Sequence, residues 1–490
     1  MVSYTYQSPE GEKSFFVSSE VARLKRLIIH SPDSGLGKVV PSKAQDWLFE
    51  DIVHLDTMRR HEYDYYVKLL LYFLDPEKIK GKLAEIEADT SRSFFKPSHP
   101  NYFNSSKVIE FEKLLTEVLD DPHVKMTLVA AVGAIEECSY VETQQFLAFS
   151  SRELAKLLIT GISEAGEMFF PPVPNLIFTR DIGIQINDHL LLNKPARLAR
   201  SRESLLAKYI FFNHPLFEEL RGKIIEIEED EDHFLLPEEE QFHRVDTLEG
   251  GDVMMVAPNH LLIGISERTS VEAGRQVMKK LFEKDVVQKV TLLKIPAKRD
   301  YMHIDTIFTQ IKRNVWVLLG SLGRTNDQAR RDMVWDELGQ KPTHEDLLIK
   351  QFYKESGEIK HRSFENLEDL LTNISEKDLK CTDPVTFVYS GNNEFPYGAR
   401  EQWTDSCNLL VIKEGVAIGY DRNDKTSEAF RAAGFKTVLA KDAIQHLENG
   451  TWDTETLEDC IILLPSAELS RARGGSHCMS MPILRSNLDA

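Results

Sequence analysis

The strongest constraint on how this chain can fold is a local pattern that recurs four times. A polar residue opens an apolar strand, a short turn follows, and a second apolar strand comes next. Residues 181–186 turn at Asn187-Asp188 into 190–192, and residues 252–256 turn at Pro258-Asn259 into 261–264. Residues 305–308 turn at Lys312-Arg313-Asn314 into 315–319, and residues 408–412 turn at Glu414-Gly415 into 416–419. These are hairpin signals at comparable phase. Helical stretches follow three of them, for example 270–282 and 427–434. A repeated unit of this kind predicts a pseudo-symmetric α/β array closed around an axis. Asp181, Asp252, Asp305 and Asn408 each stand where a strand begins, so such an array would bring them to its centre. Each residue could instead be a local turn or cap, but four independent turns at one shared phase is the weaker account.

Around this theme, residues 23–30 read as a buried strand. From about 76 to 165 helical periodicity dominates, as in residues 108–119, and this stretch is expected to be a helical insert. Residues 226–240 are strongly acidic and read as a solvated loop. Residues 325–395 are mixed, charged and partly helical, and they interrupt the repeat.

Composition narrows the function classes. The chain has 490 residues and a net charge of -19. That balance argues against a nucleic-acid or anionic-membrane binder, because phosphate affinity rests on clustered Lys and Arg. The five cysteines, Cys138, Cys381, Cys407, Cys460 and Cys478, are scattered and form no CxxC pair. They suggest neither a disulfide framework nor a zinc site, and they suit a reducing compartment. There is no signal-peptide pattern at the start and no apolar run near the roughly 18 residues of a membrane span. A cytoplasmic protein is expected. No phosphate-cradling loop, dinucleotide fingerprint or HExxH is present.

Candidate chemistry gathers in four clusters: Phe178-Thr179-Arg180-Asp181, Glu249-Gly250-Gly251-Asp252, Met302-His303-Ile304-Asp305 and Arg473-Gly474-Gly475-Ser476-His477-Cys478. Cys478 follows a Gly-Gly turn that could bend the backbone and expose a thiol nucleophile. The other four cysteines read as inert. His303 is a candidate general acid and base. His477 neighbours Cys478, but adjacent side chains of an extended chain point apart, so it is expected to be supporting at best. Asp181, Glu249 and Asp305 are candidates to hold a planar guanidinium through charge-assisted hydrogen bonds. Arg200, Arg268 and Arg473 are candidates to grip a substrate carboxylate.

FTRD, EGGD, MHID and GGSHC in this order resemble the arginine deiminase family, within the guanidino-group-modifying (pentein) superfamily. The resemblance runs from Glu20-Val21-Ala22-Arg23-Leu24-Lys25-Arg26 through Pro174-Asn175-Leu176-Ile177 to Cys478-Met479-Ser480, and takes in Arg400-Glu401-Gln402-Trp403 and Gly419-Tyr420-Asp421-Arg422-Asn423. It implies a five-bladed α/β propeller built from residues 1–75 and 166–490. A helical domain would be inserted at 76–165 and a further insertion would lie at 325–395. It implies hydrolysis of free L-arginine to L-citrulline and ammonia through a covalent cysteine-amidino intermediate, with neither metal nor organic cofactor. Cys478 would be the nucleophile and His303 the acid and base, and Asp181 and Asp305 would clasp the guanidinium with help from Glu249. Arg200, Arg268 and Arg473 would hold the amino-acid end beside Asn175, Phe178 and Asn408, and Leu48 would belong to a covering loop. A homo-oligomer, dimer or tetramer, is expected. Related chemistries share such a site: an amidinotransferase, a dimethylarginine hydrolase, a dihydrolase giving ornithine, or a non-catalytic arginine-binding propeller.

Overall fold

A computed structural model describes residues 13–44, 46–47, 51–228, 246–323 and 347–488. Most of the acidic stretch 226–240 and the first part of 325–395 lie outside the described residues. The chain is a mixed α/β structure with five separate sheets.

Each sheet has the same nucleus, an antiparallel pair with a third strand added in parallel. Gly183–Ile186 and His189–Leu192 pair antiparallel, and Ile224–Ile225 runs parallel to the second. Val253–Ala257 and His260–Ile265 do the same with Lys289–Lys294. Phe308–Lys312 and Val315–Leu318 take Thr386–Tyr389 as their parallel strand. Leu410–Lys413 and Val416–Tyr420 take Cys460–Leu464, with Lys436–Leu439 outside it. The fifth nucleus joins the two ends of the described chain. Leu24–Ile29 pairs antiparallel with Met481–Arg485 and parallel with Val108–Glu110.

The hairpins form where the turns permit. Asn187 adopts φ 48°, a left-handed conformation that Asn tolerates because its short side chain can bond locally. The strands are buried along nearly their whole length. Burial on both faces explains why they read as continuous apolar runs rather than alternating ones.

Three expectations change at this level. Asp181, Asp252 and Asp305 do not begin strands. They sit on one-turn 3-10 helices, Thr179–Ile182, Gly250–Asp252 and Ile304–Thr306, just ahead of them. The middle turn packs against both others. Residues 108–119 are not one helix. Val108–Glu110 is drawn into the sheet beside Leu27–Ile29, and the helix begins at Phe111. Two β-branched residues with a strand edge available override the local helical period. Residues 325–395 do not simply interrupt the repeat. Leu348–Glu355 and Glu358–Phe364 extend one sheet to five strands, and Thr386–Tyr389 completes another nucleus.

Helices fill much of the chain between residues 55 and 160. Asp64–Leu74 is buried on nearly every side. Phe111–Val118, Pro122–Ile135, Tyr140–Ala148 and Ser151–Thr160 follow. Their starts are legible. Asp121 caps a helix with Pro122 in its first turn, and Ser139 and Ser150 form capping boxes with Glu142 and Glu153. Among the described residues no helix is long and apolar enough to cross a membrane.

Candidate active site

The 3-10 turns and the segment after Arg473 surround a cavity of about 450 Å³. Asn175, Phe178, Asp181, Arg200, Glu249, Arg268, His303, Arg473 and Cys478 all line it. Asp305 and Asn408 are not on its wall; both contact Cys478. Leu48 lies outside the described residues, but Ala44 and Asp46 of the same loop reach the cavity.

Cys478 is not exposed by its Gly-Gly turn; it is 9% accessible. The two glycines serve close approach instead. A Cβ on Gly474 would stand 2.3 Å from the Phe178 ring, and one on Gly475 2.4 Å from the Asn408 carbonyl oxygen. The thiol is held by Asn408, whose Oδ1 accepts the Cys478 N–H at 3.1 Å and whose Nδ2 lies 3.2 Å from Sγ. Sγ also lies 3.4 Å from Asp305 Oδ2. Burial, followed by the charges of Asp305, Asp181 and Asp405, pushes this thiol well above the usual cysteine range.

His303 Nε2 meets Glu249 Oε2 at 2.8 Å, both groups buried. Burial opposes a charged ring, but the Glu249 hydrogen bond with the charges of Asp252 and Asp181 raises the His303 pKa. Burial likewise opposes the Glu249 carboxylate, yet His303 and Arg200 hold it down. Both shifts favour the imidazolium–carboxylate form of the pair. Asp252, at the phase of Asp181 and Asp305, has a different task. It accepts from the hydroxyls of Ser266 and Thr269 and from the Ile304 N–H at 3.0 Å, anchoring the segment that carries His303.

Arg200, a candidate to grip a substrate carboxylate, is engaged by the protein's own carboxylates. Its Nη1 donates to Asp181 Oδ2 at 2.8 Å and lies 3.4 Å from Glu249 Oε2, while Nε donates to Glu203 at 2.9 Å. The physical reason is charge. A buried carboxylate needs a counter-cation, and Arg200 is the cation at hand. Asp181 Oδ1 is occupied as well, by the N–H groups of Gly250 and Gly251 at 2.9 and 3.3 Å. Arg473, in a left-handed conformation at φ 62°, stacks its guanidinium 3.5 Å from the Trp403 ring centroid and donates to the Trp403 carbonyl. Arg268 Nη2 lies 3.7 Å from Met302 Sδ. Asn175 Nδ2 donates to the Trp47 carbonyl at 3.0 Å, tying the covering loop to the site.

Among the described residues, Asp181, Glu249 and His303 offer ligand atoms within 4.8 Å of one another, enough to hold a divalent cation. The Arg200 guanidinium, bonded to both carboxylates, competes for that place.

The arrangement brings together a thiol, an imidazole paired with a carboxylate, further carboxylates that suit a cation and arginines that suit an anion. Sequence reasoning missed Glu203 and Glu20, because neither lies in a cluster with other reactive groups. It undervalued His477. Residues 476–479 form a turn, with the Met479 N–H bonded to the Gly475 carbonyl, so neighbouring side chains do not diverge as in a strand. His477 Nδ1 and Cys478 Sγ reach the same oxygen of Asp305.

The chain is 26% identical to the arginine deiminase of Staphylococcus aureus strain JH9, over 96% of this chain and 98% of that protein. Among solved structures it is similar to SxtG, an amidinotransferase from Microseira wollei, at 12% identity and a TM-score of 0.43, covering 97% of this chain and 98% of that one. It is also similar to the N-terminal domain of ArgZ, an arginine dihydrolase from cyanobacteria, at 14% identity and a TM-score of 0.35, covering 64% and 78%. A family model described as arginine deiminase matches residues 106–485, most of the chain, and the protein belongs to the arginine deiminase family.

Proposed function

We propose that the protein hydrolyses free L-arginine to L-citrulline and ammonia by covalent catalysis on Cys478. The observation that carries this reading is the meeting of the Cys478 thiol, the His303–Glu249 pair and Asp181 at one cavity whose wall also holds Arg200, Arg268 and Arg473. Carboxylates and arginines on the wall of one cavity suit a ligand that carries both a guanidinium and a carboxylate.

In this reading the guanidinium of the substrate displaces Arg200 from Asp181 and takes a further contact from Asp305. Its positive charge favours the Cys478 thiolate that the neighbouring carboxylates disfavour, and the thiol proton is released to solvent. Sulfur attacks the guanidinium carbon. His303 gives its proton to one terminal nitrogen, the C–N bond breaks, ammonia leaves, and a thiouronium cation remains on Cys478. Neutral His303 then takes a proton from water as its oxygen attacks the same carbon. The C–S bond breaks, the hydroxyl proton passes to the departing sulfur, and the thiol is restored as citrulline departs. No step calls on a cofactor. The five sheets are taken as five blades around this site, formed by residues 1–75 and 166–490 with Val108–Glu110 as the parallel strand of the fifth; the rest of 76–165 is the helical insertion, and 325–395, apart from Thr386–Tyr389, is an elaboration. Five free cysteines support a cytoplasmic setting, and a homo-oligomer is expected.

The test is to measure citrulline, ornithine and ammonia after incubation with L-arginine, with Cys478→Ala alongside. Equal citrulline and ammonia, lost in the variant, is the expected result. Ornithine would make the enzyme a dihydrolase, and binding without turnover would overturn the catalytic reading.

A further inference from the structure

Behind Cys478 lies a buried set of charges for which the catalytic scheme has no use. His477 is 1% accessible and sits between two carboxylates, with Nδ1 3.0 Å from Asp305 Oδ2 and Nε2 3.4 Å from Glu20 Oε2. Glu20 is itself bonded to Arg180, and Arg485 Nη2 lies 4.0 Å away. Tyr66 closes the set from the helical side, its hydroxyl donating to the Ser476 carbonyl. Glu20, Arg180, His477 and Arg485 come from the first described segment, the first 3-10 turn, the cysteine turn and the last strand.

Asp305 is the point where this set meets the site. One oxygen, Oδ2, faces both His477 Nδ1 and Cys478 Sγ. The other, Oδ1, has no hydrogen-bond partner among the described residues, although the side chain is fully buried. A buried carboxylate oxygen without a donor is costly, and such an oxygen beside a reactive thiol is poised for a donor that arrives with a ligand. A carboxylate can turn about its own axis, and only a fixed donor on one oxygen decides which oxygen stays open. Among the described residues His477 is the sole side chain besides Cys478 that contacts Asp305 Oδ2, and a carboxylate accepts only, so Nδ1–H donates.

We propose that His477 is a positioning residue for the reaction: clamped against Glu20, its imidazole fixes Asp305 with Oδ2 toward Cys478 and Oδ1 open to the substrate guanidinium. The Asp305 carboxylate also stays ionised. Burial opposes this, but the His477 hydrogen bond, with the charges of His477, His303 and Arg180, holds its pKa below the usual range. The inference rests on the proposed role of Cys478 and Asp305.

The two faces of the ring give a discriminating test. His477→Asn places an amide donor near Nδ1 and keeps the clamp on Asp305. His477→Gln reaches toward Nε2 and Glu20 and loses it. In the Gln variant kcat per titrated thiol is expected to fall about 100-fold, the scale of a misplaced reacting group, with KM changed only a few-fold. The Asn variant should recover to within about 5-fold of the parent. A merely space-filling histidine would give the opposite order, because Gln matches its volume better. Cys478 alkylation by iodoacetamide against pH, without substrate, tests the clamp independently of turnover. Loss of the donor leaves more negative charge facing Sγ, so the midpoint should move to higher pH in His477→Gln and return in His477→Asn. Should His477→Gln not fold, His477→Leu replaces it in both assays. Equal kcat in the two variants, or alkylation profiles that superimpose on the parent, would overturn the proposal. A parent that alkylates with the expected shift but does not turn over arginine would leave the clamp standing and sink the deiminase reading alone.

Discussion

At the scale of single residues, the surroundings of Cys478 disfavour its thiolate. The Cys478 thiol is pushed up by burial and three carboxylates, and the nearest guanidinium on Asp181 belongs to the protein itself. Reactivity is then something a cationic ligand confers. At fixed pH near 8, iodoacetamide should modify Cys478 severalfold faster when a non-reactive alkylguanidinium is bound and does not block access, and a rate unchanged by the cation would contradict substrate-promoted ionisation. Arg200 gives a second prediction. Arg200→Leu leaves Asp181, Glu249 and Glu203 without their buried cation. Breaking a buried pair by removing one partner costs about 3–5 kcal/mol, measurable by urea unfolding, and KM for arginine should rise as well. The residue types of the site were legible from their chemistry, for thiol, imidazole and carboxylates in short motifs point to few reactions. Which carboxylate does what was not. Asp181, Asp252 and Asp305 share a phase along the chain, yet one meets a cation, one anchors a loop through Ser266, Thr269 and Ile304, and one adjoins the thiol.

At the scale of elements, the 3-10 turns ahead of the strands are the devices that aim these groups. Gly251 shows how tightly they are set. A Cβ there would lie 2.6 Å from His303 Nδ1, so Gly251→Ala should displace the imidazole with little harm to the surrounding sheet. A loss of about 100-fold in kcat with a melting temperature near the parent's is expected, and unaltered kcat would show that the ring has room to move. Hairpins were legible because Asn187-Asp188, Pro258-Asn259 and Glu414-Gly415 are turn-formers between apolar runs. The 3-10 turns were not, since one turn of helix has no period to read. Val108–Glu110 and Thr386–Tyr389 were missed for a related reason. Each is a short strand whose partner, Leu27–Ile29 or Val315–Leu318, is some 70 to 80 residues away in the chain. A few residues of β-propensity decide nothing until that edge is beside them.

Over the whole molecule, the buried acids set how stability should depend on pH. Burial raises Glu62, Glu203 and Asp405 to about 7 and Asp252 to about 6, although Arg200 opposes it at Glu203 and Arg473 at Asp405. Between the ordinary carboxylate range and these values the folded protein binds more protons than the unfolded chain, so stability falls as pH rises. His30 adds to the fall. Burial opposes its charge, but the hydrogen bonds it donates to Asp33 and Glu110 raise it to about 10, and its contribution is lost as pH climbs from 6.5 toward that value. His260, lowered by burial, acts in the opposite sense below 6.5. Asp305 and Glu20 are held low against burial, and their stabilisation disappears as pH falls through the acid range. Calorimetry should therefore find the highest melting temperature near about pH 5, with a decline toward pH 8. Asp405→Asn should flatten part of that decline, and a melting temperature rising steadily from pH 5 to 8 would refute the assignment. The sequence by itself determined the repeated hairpin unit and the kinds of reactive group, because turn chemistry and side-chain functionality are local properties. Only the tertiary structure decided that the first and last described strands complete a fifth nucleus, that Arg200 stands on Asp181, and that Glu20 reaches His477 from 457 residues away. Those are contacts between distant segments, and their energies depend on burial and charge at a place that exists only once the chain has folded.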